Sequence, residues 1–545
     1  MKRCIKRWIS VVCITALAGL AGCAQDGSAE PQDTGDRMKI TVAFWNEEEA
    51  LAGDAVLEAV EERFGVVFEP VNMTWNDYYQ KVERWAATDS LPDLFIGDFR
   101  NSGWYAQWIQ KGLLCAVPED LSDYPHLEQY MEELQLTQVP LVDGRMYCIP
   151  RQTYPSQEWT SIDRIVAYRW DLAQKAGITK EPENWEEFQE MILAIIAADP
   201  ENTGIQGMSV GNSGLITGVL LPYASSIAVG SGTDFYWKKD MDGRYKPAYF
   251  VDDLTSAFQL GRDMYTSGVI VKDLLLETTN TAREKFLRGE CAAIVYSGGF
   301  GSAYERVGEY WERFHDDPFS EDVKVLKLMP DVHGEKTYPI WGYAWSESYI
   351  SAKAGKEKQD RILQIFDYLL SDEGAFFAAY GPEGDLYEVV DDRVVLHDAD
   401  VAVAAKYPSC ALLSILVRWD PSLYDDRFPS LVPESYVRVN QELVEEARHV
   451  EIPEYEPECY HIMKEEQIDF SIHLNDDFLR IITGDEPVEE IWEEIRSEYE
   501  AEGLQEMIDI VNDRMRQGGS FTISIAVCTE GNRQTVALFS FFLIK

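Results

Sequence analysis

At 545 residues the chain is too long for one core, and two or three domains are expected. Its 46% hydrophobic and 26% charged residues are an ordinary globular balance. A formal net charge of −47 excludes nucleic acid, which needs a basic footprint, and argues against long-range capture of polyanions, though one local arginine can still bind one. The nine cysteines (Cys4, Cys13, Cys23, Cys115, Cys148, Cys291, Cys410, Cys459 and Cys528) include no C-x-x-C pair. This supports neither a disulfide framework nor a zinc site. The later cysteines read as buried thiols, with an isolated Cys410–Cys459 pair left open.

Lys2, Arg3, Lys6 and Arg7 precede an apolar run, Ile9 to Leu20, that is short for a membrane span. It ends in Leu20-Ala21-Gly22-Cys23, which resembles the lipobox of bacterial lipoproteins. That resemblance implies a signal peptide over residues 1–22, cleavage before Cys23, and acylation of its thiol with chains such as palmitate. The protein would then be lipid-anchored to the cell membrane, facing outwards. The alternative is an ordinary secretory signal with an incidental cysteine. Residues 23–37 are small and polar, as suits a flexible tether.

In the body, Lys39 to Trp45 reads as a strand, and Leu51, Val56, Leu57, Val60 and Phe64 mark a helix begun near Asn46. Val66 to Pro70 is a second strand. Asp77 to Ala87 is a helix, and Leu91 to Asp98 a strand entered through Pro92. Alternating strands and helices predict a doubly wound α/β lobe, with ligand bound at the carboxyl ends of its strands. Trp45, Asp98, Arg100 and Arg151 emerge at those ends. Asp143-Gly144 predicts a tight hairpin turn, Met146 to Ile149 a strand, and Pro150 its end. Further on, Ile165 to Tyr168 and Cys291 to Ser297 read as strands, and Asn184 with Glu187 has capping-box spacing. Trp341-Gly342-Tyr343-Ala344-Trp345 is an aromatic crossing. Pro487 to Tyr499 and Leu504 to Met515 are two helices broken at Gly503.

Several separated segments agree: Leu91-Pro92-Asp93-Leu94, Asp143-Gly144 through Pro150, Tyr168-Arg169-Trp170-Asp171, Gly289-Glu290-Cys291-Ala292, Tyr368 through Gly374, Tyr380-Gly381-Pro382-Glu383-Gly384, and the Trp492 to Met515 helices. Together they resemble the bacterial extracellular solute-binding proteins of the sugar-binding class (family 1), in their oligosaccharide-importer lipoprotein branch. The resemblance implies a type II periplasmic-binding-protein-like α/β fold, with two doubly wound lobes around a hinge and ligand cleft. Residues 38–160 and 336–395 would form the N-lobe, and 161–335 and 396–517 the C-lobe. It also implies a monomer that captures an oligosaccharide and delivers it to ABC permease subunits with a cytoplasmic ATPase, without enzymatic activity or cofactor. Relatives that bind acidic sugars can carry a calcium loop. Here Thr203 and Gly207 replace two oxygen-rich positions in the run from Asp199, leaving too few hard ligands. Residues 518–545 depart from the family and read as an atypical tail.

Sugars offer apolar C–H faces and hydroxyl edges, so a site needs flat aromatic rings and planar polar groups in a closing cleft. The candidate platforms are Trp45, Trp104, Tyr154, Trp159, Tyr296, Trp341, Tyr343 and Trp345. Asp98, Arg100, Arg151 and Ser297 are the candidate polar partners. Trp85, Trp185 and Trp492 have helical spacing to apolar neighbours and are assigned to cores. Three alternatives stay open: a secreted glycoside hydrolase or lyase using two of the 95 acidic residues, the binding subunit of a membrane sensor, and a peptide ligand.

Overall fold

The computed structural model describes residues 37–517, apart from 46–52, 75–76, 101, 135–141, 143, 212–213, 227–235, 312, 399–402, 420, 431, 453, 467 and 469. The lipobox, tether, Asp143 and the tail from residue 518 lie outside the described residues. The strands are β1 (Met38–Ala43), β2 (Val66–Pro70), β3 (Leu94–Gly97), β4 (Ile149–Gln152), β5 (Arg164–Arg169), β6 (Gln206–Ser209), β7 (Trp237–Lys239), β8 (Tyr245–Pro247), β9 (Cys291–Ser297), β10 (Val323–Val325), β11 (Ala344–Ile350), β12 (Tyr387–Val390) and β13 (Arg393–Leu396).

Two sheets organise the chain. One has the order β2-β1-β3-β11-β4, the other β10-β5-β9-β6. In the first, β1 runs parallel to β2 and β3, and β11 enters antiparallel between β3 and β4. The helix Ala55–Phe64 starts where Asp54 accepts from the Val56 and Leu57 amides, and stops at Gly65 in the left-handed region. Its buried Val56, Leu57 and Val60 pack on the first sheet's core. In the second lobe, Asn184 caps Trp185–Ala198, but Glu187 reaches back to the Glu183 amide, so only half of a capping box forms.

Packing corrects the sequence-based lobe limits. The first core takes Ile40 to Ile149, then Tyr349 to Phe428. Residues 403–428, assigned from sequence to the second lobe, belong to the first. Leu412, Leu413, Leu416 and Val417 are buried there, and the Ser409 amide donates to Asp54 (2.8 Å). Tyr154 packs instead with the second lobe, beside Tyr436 and Leu443, and Tyr338 and Ile340 also stay with it. Amphipathic segments near a crossing carry no mark of which core they will join.

The predicted Met146–Ile149 strand is also displaced. Gly144 has φ +71°, and Val142 and Arg145 exchange two backbone hydrogen bonds at 3.0 Å, as a tight turn requires. The strand itself is Ile149–Gln152, with Pro150 inside it. Since β4 is the sheet's edge, the missing N–H of Pro150 costs no ladder bond. The Tyr130 hydroxyl donates to Pro150 O (2.8 Å) and accepts from the Gln152 amide (2.7 Å).

Candidate functional site

Three chain segments run side by side where the lobes meet. The Thr153 and Tyr154 amides both donate to Tyr343 O (2.8 and 3.0 Å), and the Trp419 amide donates to Gln152 O (2.8 Å). This seam carries a stack of indoles. Trp45 and Trp345 have centroids 5.8 Å apart with planes 3° from parallel. Trp345 and Trp419 are 5.7 Å apart at 19°. The Arg151 guanidinium lies over Trp419 at 4.5 Å and over Trp45 at 5.6 Å. Trp45 and Arg151 are buried, whereas Trp345 and Trp419 are half-buried.

Polar groups hold these rings in place. Trp345 Nε1 donates to Asp98 Oδ2 (3.1 Å), and its backbone exchanges hydrogen bonds with the Thr153 hydroxyl (3.0 and 3.1 Å). Trp419 Nε1 donates to Trp345 O. Arg100 Nη2 donates to Ala344 O (2.7 Å), and its Nε forms an ion pair with Glu347 Oε1 at 3.2 Å. Glu347 Oε2 accepts from the Tyr349 hydroxyl (2.6 Å) and the Phe99 amide (3.3 Å). Burial raises the Asp98 carboxyl, against the opposing pull of Arg100. Burial likewise pushes Glu347 up to about 7, again opposed by Arg100. Arg151, which donates only from Nη1 to Ser346 Oγ (3.2 Å), is pushed down to about 9 by burial.

The other expected residues are distributed more widely. Trp104 stacks on Trp108 (6.2 Å, 9°) and touches Tyr79, which packs on Tyr78 and so connects to Trp45. Tyr343 is half-buried in the seam, where Tyr455 of the second lobe acts on it electrostatically. Trp159 meets Tyr424 edge-on at 6.2 Å. Tyr154 and Tyr296 are buried in the second lobe's core, with hydroxyls donated to Asp163 (2.8 Å) and Ser302 O (3.4 Å). Ser297 is exposed at the end of β9. Trp341 has one face covered by the Arg164 guanidinium at 4.6 Å. Sequence reasoning missed Trp419, Glu347, Tyr79 and the second-lobe pair Tyr236–Tyr455 (5.0 Å). Of these only Tyr79, adjacent to Tyr78 in a short helix with Trp85, carried any local hint. A separate cavity of about 40 Å³ lined by Arg164, Trp185, Tyr223, Met329 and Tyr338 has room for a few waters and not for a sugar ring.

A model of the family described as bacterial extracellular solute-binding protein matches residues 48–376, more than half of the chain. The chain belongs to that family. Over 198 residues this solute-binding protein is 28% identical to a binding protein of Brucella abortus (strain 2308), covering 36% of this chain and 44% of the other. It therefore spans less than half the length of the curated relatives it matches. The substrate-binding protein FusA of the S. pneumoniae ABC transporter, solved with kestose, superposes with a TM-score of 0.65 at 16% identity, over 88% of this chain and 99% of FusA. A human-milk-oligosaccharide (HMO) binding, ABC-transporter-associated solute-binding protein from Bifidobacterium longum infantis gives 0.60 at 14%, over 88% and 98%. At such identities the likeness establishes the fold, the expected type II periplasmic-binding-protein architecture.

In this solute-binding protein the loop at Asp199 is closed by its own groups. The Asp199 carboxylate accepts from the Thr203 and Gly204 amides (both 3.0 Å), and the Gly204 amide bond holds its pKa below the usual range. Glu201 pairs with Lys175 (3.2 Å) and lies 3.6 Å from Arg169. Among the described residues no cluster of His, Cys, Asp and Glu has metal-site geometry, and no helix is long and apolar enough to cross a membrane.

Proposed function

We propose that the protein captures an oligosaccharide between its lobes by hinge closure and delivers it to an ABC permease. The observation that carries this reading is the Trp345–Trp419 pair, two near-parallel, half-buried indoles on chain segments that cross between the lobes. Indole faces complement the C–H faces of sugar rings, and a cleft that closes over them excludes water. Trp45 backs this platform, and Tyr79 and Trp104 extend it along the first lobe. Tyr343, Trp159, Ser297 and the second-lobe Tyr455 would meet the ligand from the other side. The neighbours solved with kestose or described as binding milk oligosaccharides support a carbohydrate over a peptide.

Binding is favoured over hydrolysis by the state of the carboxylates nearest the platform. Asp98 is held by Trp345 with its other oxygen buried, and Glu347 by Arg100 and Tyr349, so neither faces a substrate as free acid or base. Closure would shift a two-state hinge at the 152–154, 343–345 and 418–419 seam and present a new surface to the permease. Acylation of Cys23 would hold the monomer at the outer face of the membrane.

A thermal-shift screen with neutral and acidic oligosaccharides, kestose included, tests the reading. A raised melting temperature with the sugar recovered intact is expected. No shift with any sugar, or release of reducing ends by the purified protein, overturns it. Cys23→Ala should release the protein into the medium, and a variant that stays with the membrane refutes the anchor.

A further inference from the structure

The sequence places Asp98 and Arg100 among the ligand contacts, but the structure turns both towards the protein. Every polar bond they make is to the crossing strand β11 or its entry. Asp98 takes Trp345 Nε1, Arg100 Nη2 takes Ala344 O, and Arg100 Nε pairs with Glu347. Ala344 and Glu347 also bound the register shift in the β11–β4 pairing, so the segment carrying Trp345 is not fixed by a regular ladder. Its position depends on the side chains that grip it.

We propose that Asp98, Arg100 and Glu347 form a proton-responsive latch that sets the position of the Trp345 ring. Its use in sugar binding rests on the function proposed above, while its existence does not. In this buried site Arg100 pairs with Glu347, while Asp98 acts on it electrostatically from beyond ion-pair distance. When Glu347 takes up a proton, its attraction to Arg100 is lost, and Asp98 becomes the remaining carboxylate beside the guanidinium. Asp98, whose Oδ1 has no hydrogen-bond partner, is then drawn towards Arg100, its Oδ2 bond to the Trp345 indole is weakened as the carboxylate moves, and the platform loosens.

The surroundings of Glu347 suit such a response. From the β3 end it faces Asp98, Arg100 and the Phe99 amide. From its own strand it faces Tyr349. From the segment entering β4 it faces Cys148 and Arg151, and from the two neighbouring helices Tyr78, Tyr79 and Tyr105. Tyr236 of the second lobe acts on Arg100 from across the seam. Burial raises the Glu347 carboxyl most, Arg100 opposes it, and Asp98 adds to the rise, which brings its titration to about 7. Glu347 is fully buried, and among the described residues the cation paired with it is the buried Arg100.

The test needs no sugar. The full-length protein is titrated from about pH 5 to about pH 9 while the exciton circular dichroism of the parallel indoles is followed. The amplitude should fall by about half or more on acidification, with its midpoint near the Glu347 titration. Glu347→Gln should abolish the titration. Asp98→Asn should abolish the amplitude change, because no second carboxylate remains to be drawn to Arg100, and Trp345→Phe should eliminate the titrating component. A flat wild-type profile, or an unaltered titration in Glu347→Gln, Asp98→Asn or Trp345→Phe, overturns the proposal. If Glu347→Gln does not fold, the other two variants decide. Failure of every sugar to bind would sink the proposed function and leave this titration standing.

Discussion

Trp345 and Trp419 lie 5.7 Å apart and nearly parallel, and the backbone oxygen of the first accepts the indole N–H of the second. They come from different segments of the first lobe, each running along the β4 edge, so the platform exists only while the 152–154, 343–345 and 418–419 segments stay in contact. Trp419→Ala should therefore weaken binding of an oligosaccharide found by the thermal-shift screen by about 10-fold or more, with a near-native melting temperature. Trp341→Ala should cost less, because Arg164 already covers one of its faces. Titration calorimetry of the two variants would show whether that order holds.

Glu347 predicts a pH dependence of stability with a definite sign. Its folded pKa, about 7, is above the unfolded value near 4.5, so the folded state binds the proton more tightly. The associated stability is complete below the unfolded pKa and is lost as pH rises through about 7. The loss is on the order of 3 kcal/mol. Urea unfolding across that range should show this slope in the wild type and not in Glu347→Gln. The same protonation is expected to loosen the platform, so stability should rise and sugar affinity fall together on acidification, a pairing that general acid unfolding does not produce.

Arg151 is a buried cation that makes a single hydrogen bond and two ring contacts. Arg151→Ala should lose about 2–4 kcal/mol through the vacated space between Trp45 and Trp419. Arg151→Met fills that space without a buried charge and should come close to wild-type stability. Equal losses in denaturant unfolding would show that the charge, and not the packing, is what the stack needs.

Gly207 lies in β6, where a Cβ would come within 2.3 Å of Val269 O. Backbone cannot retreat as a flexible side chain can, so Gly207→Ala should destabilise the second lobe by about 2 kcal/mol or more. Differential scanning calorimetry should show the melting temperature falling well below that of Gly204→Ala, a change where a Cβ meets only open space and the strain is that of positive φ alone.

The Asp199 loop is held by its own amides and by Lys175. Melting temperatures in calcium and in a chelator should agree, and Asp199→Ala should lower the melting temperature slightly and equally in both. A chelator-sensitive wild type would show that a metal completes the loop.

The sequence by itself determined the strand and helix order of the first lobe, the two-lobed α/β class and the family, because apolar periodicity and turn chemistry are local. Val66 to Pro70 and the final helix pair around Gly503 are found where their spacing put them. It also marked Trp45 and Trp345 as candidates, since one lies at a strand end and the other in an aromatic crossing. The tertiary structure alone decided that Trp419 completes the stack, that Asp98 and Arg100 turn inward to Trp345 and Glu347, and that residues 403–428 pack in the first lobe. Those outcomes depend on contacts between segments tens to hundreds of residues apart. Such contacts are chosen by which faces bury the most apolar surface and leave the fewest buried charges unpaired, and no local pattern encodes that choice.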